Sequence, residues 1–266
     1  MTVNNWPIGV FDSGVGGLTV LKALRRRLPK EDFVYLGDTA RLPYGTKSPQ
    51  TVNRYALQAS SKLVEQKIKA LVVACNTASS FALDILAKAY DSIPVYGVVE
   101  PGADAACRIA DETGILILAT ESTVLGGAYQ KSILGKIPEL PVYARACPLW
   151  VTLAEQGLYD ENLASLLIEH YFEGFGGDGP KTVLLGCTHF PILLPLIDKV
   201  MAGRFAVVDS AKTTAESVAN QLEAEDLLNI EGGHVSFMAT DGIERFGRIG
   251  KRFLGEEVGN VLKVDL

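Results

Sequence analysis

LVVACNTAS, residues 71–79, is the stretch that decides the fold. An apolar, β-branched run stops at Cys75 and gives way to small and hydroxyl residues ahead of a periodic apolar run. That is the pattern of a buried strand feeding directly into a helix. Sliding the chain against itself by 112 positions, Cys75 onto Cys187, lays VVACNTAS (72–79) on LLGCTHFP (184–191). The same shift lays Gly45 on Gly157 and Val95 on Val207. A shift of 110, Asp12 onto Ser122, pairs Asp12-Ser13 with Ser122-Thr123 and Gly16-Gly17 with Gly126-Gly127. Each landmark stands at or just after an expected strand end. Two copies are too few for a solenoid, so the chain reads as two similar α/β units.

Short β-branched runs at 8–11, 33–36, 71–74, 95–98, 115–118, 142–144, 183–185, 205–208 and 235–238 predict strands. Amphipathic runs at 18–28, 51–67, 79–90, 104–111, 162–172, 192–200 and 213–228 predict helices. Strict alternation of the two predicts parallel sheets with helices on their faces. The expected architecture is two parallel-sheet α/β domains related by a pseudo-twofold, with the active site in the cleft between them. The expected division is 1–97 plus 210–266 for the first domain and 98–209 for the second. In open parallel sheets ligands bind beyond the carboxyl ends of the strands. Cys75 and Cys187 both stand there, so two facing units would flank one ligand with two sulfurs.

Composition narrows the class. The 266 residues are 48% apolar and 21% charged, ordinary for a globular protein. Twenty-five Lys and Arg against 31 Asp and Glu leave a net charge of −6. That balance disfavours a broad nucleic-acid or anionic-membrane footprint. The compact basic cluster Arg25-Arg26-Arg27 falls at a helix end, where cations suit the helix dipole. The opening MTVNNWPIGV lacks the basic and apolar regions of a targeting peptide, and no apolar run approaches the ~20 residues of a spanning helix. A cytoplasmic protein with four reduced cysteines (Cys75, Cys107, Cys147, Cys187) is expected.

A buried structural cysteine and a reactive thiol fit Cys75 equally well, although a helix N-terminus there favours a thiolate and offers N–H groups to a carboxylate. Cys107, in an Ala-rich helix, and Cys147, without a cap cluster, read as structural. Cys187-Thr188-His189 adds a histidine that can relay a proton. With three histidines in the chain and too few companion ligands, no metal site is expected; His170 and His234 read as structural or exposed. The turn in IGVFDSGVGG (8–17) fails the dinucleotide template, because Thr19 stands where the third glycine belongs. It suits close backbone approach to a small ligand, with Asp12 as an acid/base partner and Ser13 as a donor; a plain tight turn is the alternative. Asp38 reads as catalytic or as a loop-ordering acceptor. Two thiols on opposite faces suit inversion of a carbon stereocentre, which needs a base on one face and an acid on the other.

GVFDSGVGGLTV, YLGDTARLPYGTKS, VVACNTAS, YGVVEPGA, LLGCTHFPIL and VVDSA, in this order over most of the chain, resemble the bacterial glutamate racemases of the aspartate/glutamate racemase superfamily. The resemblance implies a cofactor-independent isomerase that interconverts L- and D-glutamate by a two-cysteine mechanism and supplies D-glutamate for peptidoglycan. It implies that Cys75 acts on D-glutamate with Asp12 as helper, and that Cys187 acts on L-glutamate with His189 as helper and Glu155 nearby. It places Ser13, Pro43, Tyr44, Gly45, Asn76, Thr77 and Thr188 at substrate-binding positions; Thr123 joins them by the internal offset from Ser13. Ala119 stands where the family often has Gly, and activation by a cell-wall precursor through a long N-terminal extension, as in some members, is not expected. Members are often dimers, which implies a homodimer, and some inhibit DNA gyrase, a partner that the acidic balance allows without calling for it. The rivals are a two-thiol racemase for aspartate and a cysteine hydrolase built on Cys187 and His189, in which Cys75 would have no role.

Overall fold

The computed structural model describes residues 3–158 and 161–266. Strands β1 (Ile8–Asp12), β2 (Phe33–Gly37), β3 (Ala70–Val73) and β4 (Val95–Gly97) precede β5 (Ile115–Ala119), β6 (Val142–Ala146), β7 (Thr182–Gly186) and β8 (Ala206–Asp209); β9 (Val235–Ala239) and β10 (Val261–Lys263) close the chain. They form two all-parallel sheets, ordered β10-β9-β2-β1-β3-β4 and β6-β5-β7-β8. The internal repeat is visible here. β2-β1-β3-β4 and β6-β5-β7-β8 have the same order, and the second sheet lacks only the β9–β10 edge. The protein is therefore two parallel-sheet α/β domains.

The helices are α1 (Leu18–Arg27), α2 (Pro49–Val64), α3 (Asn76–Ala89), α4 (Val99–Ile109), α5 (Glu121–Gly126), α6 (Ala128–Lys136), α7 (Pro148–Gln156), α8 (Glu161–Phe172), α9 (Leu194–Met201), α10 (Ser210–Ala224) and α11 (Ile243–Leu254). The sequence pattern predicts neither β10 nor α5, α6, α7 and α11. α5 and α6 escape because they are short, and Gly127 splits them in a left-handed conformation (φ 66°) that glycine adopts without strain. α3 starts at Asn76 rather than Ser79, with Cys75 itself as N-cap.

β1, β2, β3, β5 and β7 are buried along their whole length, as strands covered on both faces must be. One apolar cluster lies under α2 and α3 and another under α4 and α6. A third runs through both domains and carries Trp150, Phe190, Phe246 and Phe253. At the far end of the first sheet from the thiols, Lys69 Nζ meets Glu31 Oε2 at 2.6 Å with both side chains almost fully buried. Lys69 also donates to the carbonyls of Asn4 and Leu227, each at 2.7 Å. Arg25 pairs with Glu256, and Arg27 with Glu216 at 2.8 Å, so the basic cluster is a partly neutralised helix end. Among the described residues, no helix is long and apolar enough to cross a membrane.

Candidate active site

The site is built at the carboxyl ends of β1, β3, β5, β6 and β7. Cys75 follows β3 and caps α3: the Ala78 N–H donates to its sulfur at 3.5 Å, and its thiol donates to Ser13 Oγ at 3.5 Å. Cys187 follows β7, 3.8 Å from His189 Nδ1. Both sulfurs line one cavity of about 150 Å³, with Ser13, Pro43, Tyr44, Gly45, Asn76, Thr77, Thr188 and His189. A cavity of about 600 Å³ beside α1 and α10 is larger, but neither sulfur lines it.

Three residues on the predicted list stand behind this lining. Asp12 is wholly buried, its Oδ2 accepting from the Gly14 N–H at 2.8 Å and its Oδ1 unpartnered. Glu155, near the end of α7, meets His189 Nε2 through Oε1 at 3.1 Å. Thr123 is buried and reaches the cavity wall through hydrogen bonds to Thr77 (3.0 Å) and Thr120 (2.9 Å). Thr46, Thr120, Glu121, Pro148, Val151 and Thr152 also line the cavity and were missed. Thr120 directly follows β5, and Pro148 opens the helix after β6. Applying the strand-end rule to every strand would have found both.

The seam between domains is polar around the thiols. Thr77 bonds Thr120 at 2.9 Å, and Asn76 donates to Tyr129 Oη at 2.7 Å, leaving Asn76 Oδ1 buried without a partner. Gly45 fits against Thr120 because it has no side chain: a Cβ there would lie 2.7 Å from Thr120 Cβ. Asp38 is the loop-ordering acceptor, holding Arg41 at 2.7 Å, Thr240 at 3.0 Å and the Tyr44 hydroxyl.

Electrostatics separates the two thiol arms. Burial pushes the Cys75 thiol up to about 12, with the Asp12 charge adding to it; its contacts with Ser13 and the Ala78 N–H oppose this and lose. The helix N-terminus does favour a thiolate at Cys75, through the Ala78 N–H, but this one long contact does not offset desolvation by burial. Burial also raises Asp12, against His189 and three backbone N–H groups. Burial opposes charge on His189, but its contacts with Cys187 and Glu155 outweigh this and push it up to about 10. Burial would raise Glu155, but His189 and Arg245 hold it below the usual carboxylate range. Among the described residues, no three His, Cys, Asp or Glu side chains converge to hold a metal ion.

Two α/β domains each bring a strand-end cysteine to one small cavity, and one of these cysteines is backed by a histidine–carboxylate pair. The model of the Asp/Glu/Hydantoin racemase family matches residues 8–218. A glutamate racemase of Geobacter metallireducens is 48% identical over 261 residues, 97% of this chain and 96% of the relative. The crystal structure of the Thermus thermophilus glutamate racemase in complex with β-chloro-D-alanine superposes with a TM-score of 0.89 at 48% identity, covering 99% and 98% of the two chains. That of Francisella tularensis in complex with D-glutamate gives 0.92 at 35%, covering 98% of each. The chain belongs to the Asp/Glu/Hydantoin racemase family and is an amino-acid racemase.

Proposed function

We propose that the protein interconverts L- and D-glutamate without a cofactor, with Cys75 and Cys187 as its two acid/base groups. The observation that carries this reading is the single cavity walled by both sulfurs, one from each sheet. One sulfur, as thiolate, takes the α-proton from one face of the substrate, and the electron pair stays on the α-carbon, delocalised into the carboxylate. The other, as thiol, returns a proton from the opposite face. The product leaves with the protonation states of the two sulfurs exchanged. Ser13, Asn76, Thr77 and Thr188 supply hydroxyl and amide groups for the substrate's polar ends, beside the turn at Pro43, Tyr44 and Gly45. Protein groups alone leave Cys75 a neutral thiol at pH 7. The substrate's own ammonium is the cation that favours the Cys75 thiolate, whose proton leaves to solvent, and the unpartnered Asn76 Oδ1 is an acceptor for that ammonium. Asp12 serves the Cys75 arm; His189 and Glu155 serve the Cys187 arm.

Relatives that are glutamate racemases, one of them solved with D-glutamate bound, support the choice of substrate. The same reading assigns residues 1–97 and 210–266 to the first domain and 98–209 to the second. It makes the protein a cytoplasmic homodimer that supplies D-glutamate for peptidoglycan. The deciding experiment is proton NMR of pure D-glutamate with the protein in D₂O, with chiral analysis of the product. Loss of the α-proton signal together with formation of L-glutamate is expected. Faster turnover of aspartate than of glutamate would overturn the substrate assignment.

A further inference from the structure

Glu155 is held from two sides. Its Oε1 faces His189 at 3.1 Å, and its Oε2 accepts from Arg245 Nη2 at 2.8 Å. Its backbone carbonyl accepts from Arg252 at 3.0 Å, and the Arg252 guanidinium packs where a Cβ on Gly157 would stand. Both arginines belong to α11, which follows β9 of the first sheet, whereas Glu155 and His189 belong to segments flanking the second. α11 also sets Phe253 edge-on to the His189 ring, with centroids 5.2 Å apart. The histidine is thus clamped through a carboxylate by a helix of the opposite domain.

We propose that Arg245 is a positioning residue for the Cys187 arm: by gripping Glu155 it fixes the orientation of His189, so the second thiol's proton chemistry depends on α11 docking against the end of α7. This rests on the two-thiol reading above. With Arg245 holding Oε2, Glu155 presents Oε1 to His189 Nε2, and the ring then presents Nδ1 to the Cys187 sulfur. Without Arg245, Glu155 is free to turn towards water, and the imidazole loses the contact that sets its orientation. The other charged or titratable groups around this arm are Asp12 beside His189, Arg252 at Glu155, and Cys75, Cys147 and Tyr129 towards Cys187.

The test follows the ring nitrogens of His189 by ¹⁵N NMR against pH in the full-length protein and in Arg245→Gln and Arg245→Lys. Only three histidines need assignment, which His170→Gln and His234→Gln provide. Two roles for Arg245 predict opposite signs. A mere neighbouring cation disfavours the imidazolium, so its removal would raise the His189 midpoint. A clamp on Glu155 favours the imidazolium, so its removal lowers the midpoint towards the ordinary histidine value. The expected result for Arg245→Gln is a lowered midpoint and a fall of about tenfold in kcat/KM, carried by kcat with KM little changed; misplacing a catalytic group costs on this scale or more. Arg245 makes one hydrogen bond to Glu155, which an ammonium can replace, so Arg245→Lys recovers most of both. An unchanged or raised midpoint, or kcat/KM within twofold of the parent, overturns the proposal. Cys187→Ser with full racemisation would instead overturn the two-thiol reading, whatever the His189 titration shows.

Discussion

A single methyl group added at Gly16 tests the catalytic arrangement most directly. Gly16 lies in the turn after β1 of the first domain, yet a Cβ there would stand 2.3 Å from Thr188 Oγ1 and 2.5 Å from His189 Nδ1. Ordinary contact begins at about 3.4 Å, so these groups would have to retreat by about 1.1 and 0.9 Å. Neither has an easy way out. Thr19 donates to the Thr188 carbonyl at 2.9 Å, and His189 is held between Glu155 and Phe253. A displacement of roughly 1 Å at a catalytic group costs on the order of 10²-fold in rate, about 2.7 kcal/mol of barrier. Overpacking itself costs about 1–3 kcal/mol of stability. Gly16→Ala should therefore remain folded and lose about a hundredfold in kcat/KM. The loss must be equal in the two directions, because enantiomers have equal free energies and the ratio of the two kcat/KM values is held at one. Circular dichroism of the amino acid, run from each enantiomer, measures both. A folded Gly16→Ala protein within threefold of the parent would refute the placement of His189 in the reacting arm.

Cys75→Ser and Cys187→Ser should each reduce turnover by about 10²–10⁴-fold with little loss of stability, the range that general acid–base groups contribute. Cys107→Ser and Cys147→Ser should keep it, as steady-state assays on the four variants will show; neither residue lines the two-sulfur cavity. Lys69→Met leaves Glu31 buried and unpaired, and urea unfolding should show a loss of about 3–5 kcal/mol, partly recovered when Glu31→Gln is added. His189, raised in the folded protein to about 10 from 6.5, contributes stability that is fully present below pH 6.5 and fades as pH rises through 10. The stability difference between the parent and His189→Asn, from urea titrations at pH 6, 8 and 9.5, should therefore shrink as pH rises; a growing difference would contradict the assigned direction.

Residue pattern alone was enough to locate nine of the ten strands among the described residues, the two-unit repeat and both sulfurs, because each depends on order along the chain. A buried parallel strand must be apolar, and a ligand-facing residue must follow its carboxyl end. Asp12, Cys75, Cys187 and His189 were legible for this reason, and the resemblance to a known family added the turn at Pro43, Tyr44 and Gly45 and, from the segment PLWVTLAEQG, Glu155. Other features depend on which distant segments meet. Thr152 enters the cavity from one turn inside α7, the helix that follows β6. Arg245 reaches Glu155 across 90 residues because β9 joins the first sheet and swings α11 onto the second domain. The Cys75 thiol is the clearest case. Its place at a helix start argued for a thiolate, and complete burial beside Asp12 reversed that. Desolvation is a property of everything packed around an atom, so order along the chain places a sulfur at a strand end while only the folded surroundings decide which protonation state it prefers.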